Sequence, residues 1–155
     1  MFSRICSLGA MLVGVLAGPA LGQDNTTARW GQVGAWQVSV NADRGCMVTT
    51  KYADGTILGL GIDPLRKTVY LGLGNATWRS LQAGRAYPMR FVFDGLQSYD
   101  GELTGVADNE GVLLIHSQVS PEFIKDFAQR TTVRLYYRGL QVSHLSLRDT
   151  YAALT

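Results

Sequence analysis

Turn dipeptides set between short runs of alternating apolar and polar residues constrain this chain more than any other feature. Asp54-Gly55 separates Cys46 to Ala53 from Thr56 to Ile62. Asp and Gly both tolerate the positive φ of a type I′ turn, so the two runs predict a hairpin. Asp63-Pro64 stops the second run, and Thr68 to Leu73 alternates again with Val69, Leu71 and Leu73 on one side. Earlier in the chain, Trp36, Val38 and Val40 alternate with Gln37 and Ser39. Tyr87 to Phe93 ends at Asp94-Gly95, while Ser98 to Val106 contains a further Asp-Gly at Asp100-Gly101 and continues as a strand from Glu102. Asn109-Glu110-Gly111 turns into Val112 to His116, and Thr132 to Tyr137 with Gln141 to Leu147 predicts a last hairpin around Arg138-Gly139.

The two-residue period breaks once. Pro121 to Ala128 places Phe123, Ile124 and Phe127 on one helical face, with Ser120 as N-cap and Pro121 at the first helical position. Arg148 to Leu154 has the length of a short terminal helix. About eight or nine strands with one or two short helices near the C-terminus predict an all-β fold, an antiparallel β-sandwich or barrel. No internal repeat divides it, so residues 30–155 read as a single β-rich domain. Gln23 to Arg29 is polar and reads as a disordered N-terminal stretch.

Residues 1–22 have a different character. Arg4 is followed by an apolar stretch from Ile5 to Ala17, and Ala20-Leu21-Gly22 offers small side chains where a signal peptidase reads. The apolar run is shorter than the ~20 residues of a spanning helix and is interrupted by Pro19, so it reads as a cleaved signal, not an anchor. Cys6 stands too early to be the acylated residue of a lipoprotein. Cleavage after Gly22 predicts a periplasmic or secreted chain with no transmembrane span.

Removing Arg4 with that segment leaves thirteen Lys and Arg against twelve Asp and Glu, scattered along the chain. Without a basic block to follow a phosphate backbone, nucleic acid is disfavoured as a partner. One cysteine remains, Cys46, so no disulfide forms within the mature chain. Its default reading is a buried small hydrophobe in a strand; the sharper one is a free reactive thiol or an intermolecular bridge.

Gly34-Ala35-Trp36-Gln37-Val38-Ser39-Val40, followed by Cys46-Met47-Val48, resembles the invasion-associated locus B family of small exported bacterial proteins. Leu145-Ser146-Leu147 and Tyr151-Ala152-Ala153-Leu154 resemble that family's closing strand and Ala-rich helix. The family pattern has a strand-opening Trp, a Cys four residues later and a second Cys opening the next strand. Trp36 and Cys46 match it, but Val40 holds the first cysteine's place, so the disulfide that the resemblance implies has only one of its partners here. The resemblance also implies a β-sandwich-like exported protein without an established enzymatic chemistry.

The residues point the same way. His116 and His144 lie in separate strand-like segments, and their neighbours Ser117 and Ser143 point to the opposite face of a strand, so neither pair relays a proton. No nucleophile-elbow sequence is present. Metal ligands at short paired spacing are missing, as are the alternating carboxylates of a calcium loop, so no metal or other cofactor is expected. The glycines of Gly59-Leu60-Gly61 and Gly72-Leu73-Gly74 lack the Lys of a phosphate loop and read as strand bends. Trp36 and Tyr52 fall in apolar runs and read as core. Trp78, at a loop or strand entry, reads either as a core aromatic or as a candidate contact residue. Tyr136, Tyr137 and Arg138 are further contact candidates, where aromatics fall on both faces of a strand beside a cation. Export without a convergent catalytic set predicts a non-enzymatic binding module of the bacterial cell envelope, its partner a protein or an envelope component. The alternative is a hydrolase or enzyme inhibitor acting on envelope components, with carboxylates assembled across strands.

Overall fold

A computed structural model of the chain describes residues 28–40 and 45–155. The expected leader, residues 1–22, lies outside the described residues, as does most of the polar stretch after it. The last two residues of that stretch, Ala28 and Arg29, already belong to the first strand.

Among the described residues ten strands follow one another: β1 (Ala28–Val33), β2 (Trp36–Val40), β3 (Cys46–Lys51), β4 (Thr56–Asp63), β5 (Thr68–Asn75), β6 (Ala86–Phe93), β7 (Gln97–Asp108), β8 (Gly111–His116), β9 (Thr132–Tyr137) and β10 (Leu140–Ser146). Helix α1 (Pro121–Gln129) joins β8 to β9, and α2 (Thr150–Leu154) ends the chain. Every ladder is antiparallel, and the strand order is β1-β2-β3-β4-β5-β8-β7-β6-β9-β10. The all-β antiparallel class with two short helices near the C-terminus is thus the one the alternation predicts.

Its layout is a single open sheet. The β5–β8 ladder, Leu71↔His116 to Leu73↔Leu114, stitches the meander β1–β5 to the C-terminal strands, so the ten strands never separate into two hydrogen-bonded layers. The strand missing from the sequence-based count is β1, whose Arg, Gly and Gln residues hide any alternation and whose register shifts between Arg29 and Gly31. A second difference lies in β7. It runs unbroken through Asp100-Gly101, because Arg90 on β6 faces Asp100 and holds it with two bonds of 2.7 and 2.8 Å. An Asp-Gly pair makes a turn only where no partner strand claims it.

Where Asp-Gly does turn, local chemistry shows why. Asp54 accepts from the Thr56 N–H and hydroxyl at 2.9 Å each, and Gly55 takes φ +83°, open to residues without a Cβ. Arg138 and Gly139 both have positive φ, as the type I′ hairpin requires.

One face of the sheet curls around a continuous core that includes Leu58, Leu71, Leu103, Phe93, Leu135 and Leu145. Helix α1 fills its open side. The Ser120 hydroxyl accepts from the Phe123 N–H at 3.2 Å, Pro121 begins the first turn, and Phe123 and Phe127, one turn apart, point inward. The Phe123 ring meets Phe91, Phe93 and Tyr99 edge-on at 5.3, 5.1 and 5.3 Å. No β1–β10 ladder closes the roll, but side chains span the seam. Trp36 Nε1 donates to the Arg148 carbonyl at 2.9 Å, Tyr52 Oη to the Ser146 carbonyl at 2.6 Å, and Ser143 Oγ to Asp54 at 3.2 Å. Trp36 is buried, and Tyr52 is half-buried against the core.

Cys46 departs from its default reading as a buried hydrophobe. It is a free, exposed thiol. Alternation puts it on the same face as buried Val48 and Thr50, but as the first residue of β3 it lies beyond the rim of the core. Its direct cross-strand partner is Val40, the position where the resembled pattern has its other cysteine.

Candidate functional site

The outer face of the sheet, opposite the core, would ordinarily be polar. Over β3, β4, β5 and β8 it is not. Register sets its side chains in three rows: Met47–Gly61–Tyr70, then Thr49–Gly59–Gly72–Ile115, then Lys51–Ile57–Gly74. Two glycines face each other in the middle row, and each outer row has one more. The β4–β5 ladder is regular over all eight pairs, so these glycines do not mark bends. They make room for neighbouring side chains, and Gly59, Gly61 and Gly74 are themselves buried beneath them. The Tyr70 ring lies where a Gly61 Cβ would stand, and Leu113 does the same at Gly74. Tyr70 Oη reaches Met47 Sδ at 3.7 Å and closes one end of the trough.

The result is a groove of about 740 Å³ with half-buried Met47, Ile57, Leu113 and Ile115 along it and Trp78 and Leu81 beside it. Asn75 Oδ1 fixes the approach to Trp78 by accepting from the Thr77 N–H and hydroxyl at 2.9 and 2.7 Å. The Trp78 N–H then donates to the Asn75 carbonyl at 3.0 Å. Charged side chains occur at the end opposite Tyr70: Lys51 ends β3, Arg79 follows Trp78, and Asp108 and Glu110 flank the β7–β8 turn.

Of the candidate contact residues, Trp78 lines this groove while it is half-buried and packed against the core. Tyr136 and Arg138 line a second, more open hollow of about 860 Å³ over β6, β7 and β9, with Pro88, Arg90, Asp100 and Glu102. Tyr137 turns to the core side, 6.0 Å from the Tyr87 ring, with the Arg138 guanidinium 5.2 Å above its own. The structure therefore places Trp78 and the Tyr136-Tyr137-Arg138 run at separate sites. Sequence reasoning passed over Met47, Ile57, Tyr70, Leu113 and Ile115. Their signal was present in two neighbouring strands that are apolar at every second residue and glycine at several of the others, which leaves no polar face.

The second hollow does hold two carboxylates, Asp100 and Glu102, on one face of β7. Hydrogen bonds from Arg90, helped by its charge, hold Asp100 below the usual carboxylate range. It is therefore ionised and has no proton to donate. His144 is exposed, and His116 is half-buried with Nδ1 2.9 Å from the Glu102 carbonyl oxygen. Among the described residues neither histidine has a carboxylate within ion-pair distance, and no group of three His, Cys, Asp or Glu side chains has a metal-holding arrangement. No helix among them is long and apolar enough to cross a membrane.

Ten antiparallel strands in one open sheet, with a helix over the core and a short helix at the end, define a small all-β architecture. Invasion associated protein B from Bartonella henselae shares it. The crystal structure of that protein aligns with a TM-score of 0.59 at 12% sequence identity, covering 80% of this chain and 92% of the other. The resemblance read from Trp36 and Cys46 thus holds at the level of the fold. No protein-family model matches the chain, and no curated protein matches it.

Proposed function

We propose that this chain is an exported, non-catalytic binding module of the bacterial cell envelope, with the outer-face groove as its recognition surface. One observation carries this reading: the outward side of β4, β5 and β8, with Met47 of β3, presents half-buried apolar side chains around a groove where polar residues are the rule. Apolar surface left in a concave site is the usual setting for a ligand. The signal-like segment Met1 to Gly22 supports delivery outside the cytoplasm.

The test is uptake of a fluorescent apolar probe, N-phenylnaphthylamine, by the purified exported protein. Binding is expected, with loss on Trp78→Ala and on Gly72→Leu, which puts a side chain on the groove floor beside Ile115. Absence of uptake, or uptake untouched by both changes, refutes the groove as a binding surface. N-terminal sequencing of the protein from a periplasmic fraction should begin at Gln23; an intact Met1 refutes cleavage of the leader, and recovery from the cytosol alone refutes export.

A further inference from the structure

We propose that the groove takes one molecule of a zwitterionic, single-chain phospholipid, its acyl chain along the apolar floor of Ile57, Gly72, Leu113 and Ile115 and its headgroup at the charged end. This rests on the groove being the binding surface and adds what it selects. From the row of Tyr70 to the row of Lys51 the floor runs four residues, about 14 Å at ~3.4 Å per strand residue. The floor backbone is already paired in the ladders, so it offers a passing ligand no free donors, only apolar contact. Tyr70 stops the far end. An unbranched hydrocarbon chain fits a trough of that kind.

The headgroup follows from charge. Lys51, Arg79, Asp108 and Glu110 all line the groove, and none of them belongs to any of the three ion pairs of the described residues. Both signs are therefore available at one end. A fatty acid would set its carboxylate against Asp108 and Glu110, and a cationic amphiphile would meet Lys51 and Arg79. A short peptide carries its two charges at opposite ends, whereas the far end here is closed by a phenol and a thioether. A phosphate and an ammonium on one head satisfy both pairs.

The experiment displaces N-phenylnaphthylamine from the exported protein with lauroyl lysophosphatidylethanolamine, dodecanoate or dodecyltrimethylammonium, each below its micellar concentration. The zwitterion is expected to displace the probe at a concentration about fivefold lower than either singly charged tail. The paired changes Lys51→Ala with Arg79→Ala, and Asp108→Asn with Glu110→Gln, should each remove that preference without moving Tm. Shortening the acyl chain by two methylenes should weaken binding roughly tenfold. Equal displacement by all three tails overturns the zwitterion proposal and leaves the groove reading standing, whereas failure to take up the probe at all removes the groove reading itself. Sedimentation at the same concentrations closes the remaining route. A dimer that excludes the probe would make a second copy the occupant and overturn the proposal.

Discussion

Asp94 offers the sharpest test of how this sheet is held together. At the β6–β7 turn it takes φ +49°, and its carboxylate accepts from four donors on the segment entering β9. These are the Thr131 N–H at 3.2 Å, the Thr131 hydroxyl at 2.9 Å, the Thr132 N–H at 2.8 Å and the Thr132 hydroxyl at 3.1 Å. Hydrogen bonds to a charged acceptor are worth about 2 kcal/mol net as a group, since they share one desolvated carboxylate and do not add. Asp94→Ala should therefore destabilise by about 2 kcal/mol. Asp94→Gly loses the same bonds but recovers ~1 kcal/mol by relieving the left-handed backbone, for a net loss of about 1 kcal/mol. With a urea slope of ~2 kcal/mol per molar, the midpoints fall by about 1 M and about 0.5 M. The effect has a defined pH dependence. Burial alone would raise the Asp94 pKa, but the bonds from Thr131 and Thr132 outweigh it and hold it below its ordinary value. A depressed carboxylate stabilises above its unfolded pKa of ~3.9, and that stabilisation is lost as pH falls through the folded value. The gap between wild type and Asp94→Ala should accordingly be full at neutral pH and narrow below about pH 4. A gap of equal size at both ends of that range, or a Gly variant weaker than Ala, would refute the reasoning.

Phe123→Ala removes the ring on which Phe91, Phe93 and Tyr99 converge and should destabilise by about 4 kcal/mol in the same denaturation assay; a loss below ~1 kcal/mol would mean α1 is not part of the core. Gly105→Ala sets a Cβ against the Gln82 carbonyl, where the 82–85 loop is tied to β7 by Gly84 N–H to Gly105 and Gly105 N–H to Arg85 bonds of 2.8 and 2.9 Å. About 2 kcal/mol of destabilisation is expected by thermal unfolding, and an unchanged Tm would show that the loop yields freely. Cys46, exposed on the folded protein, should react with a maleimide dye without denaturant, and non-reducing electrophoresis after mild oxidation should show a linked dimer. Slow labelling that speeds up only in urea would contradict its exposure.

The local punctuation of the chain was legible because it depends on neighbours in sequence. Ser120 and Pro121 open α1 where capping chemistry says, and Asp54-Gly55, Asp94-Gly95 and Arg138-Gly139 all lie at turns. Asp100-Gly101 has the same local chemistry but stays extended, because Arg90 across the ladder determines its state. The groove was hidden for a related reason. Gly59, Gly72 and Ile115 share a row only through the pairing of β4, β5 and β8, and β8 begins far along the chain from β5. Trp78 was visible as a residue at a loop, but not the apolar floor beside it. Cys46 misled because alternation gives the face of a residue and not its distance from the end of the core.

The bond from Trp36 to the Arg148 carbonyl joins positions 112 residues apart, and with Tyr52 to Ser146 it fastens the first half of the barrel-like curl to the last. A polypeptide that emerges amino end first, from a ribosome or through a pore, has no such clasp until nearly its whole length is out. Its early strands must wait as an unlatched hairpin stack, and threading stays open to a reversible, unfolded conductor until the tail arrives to fasten the seam.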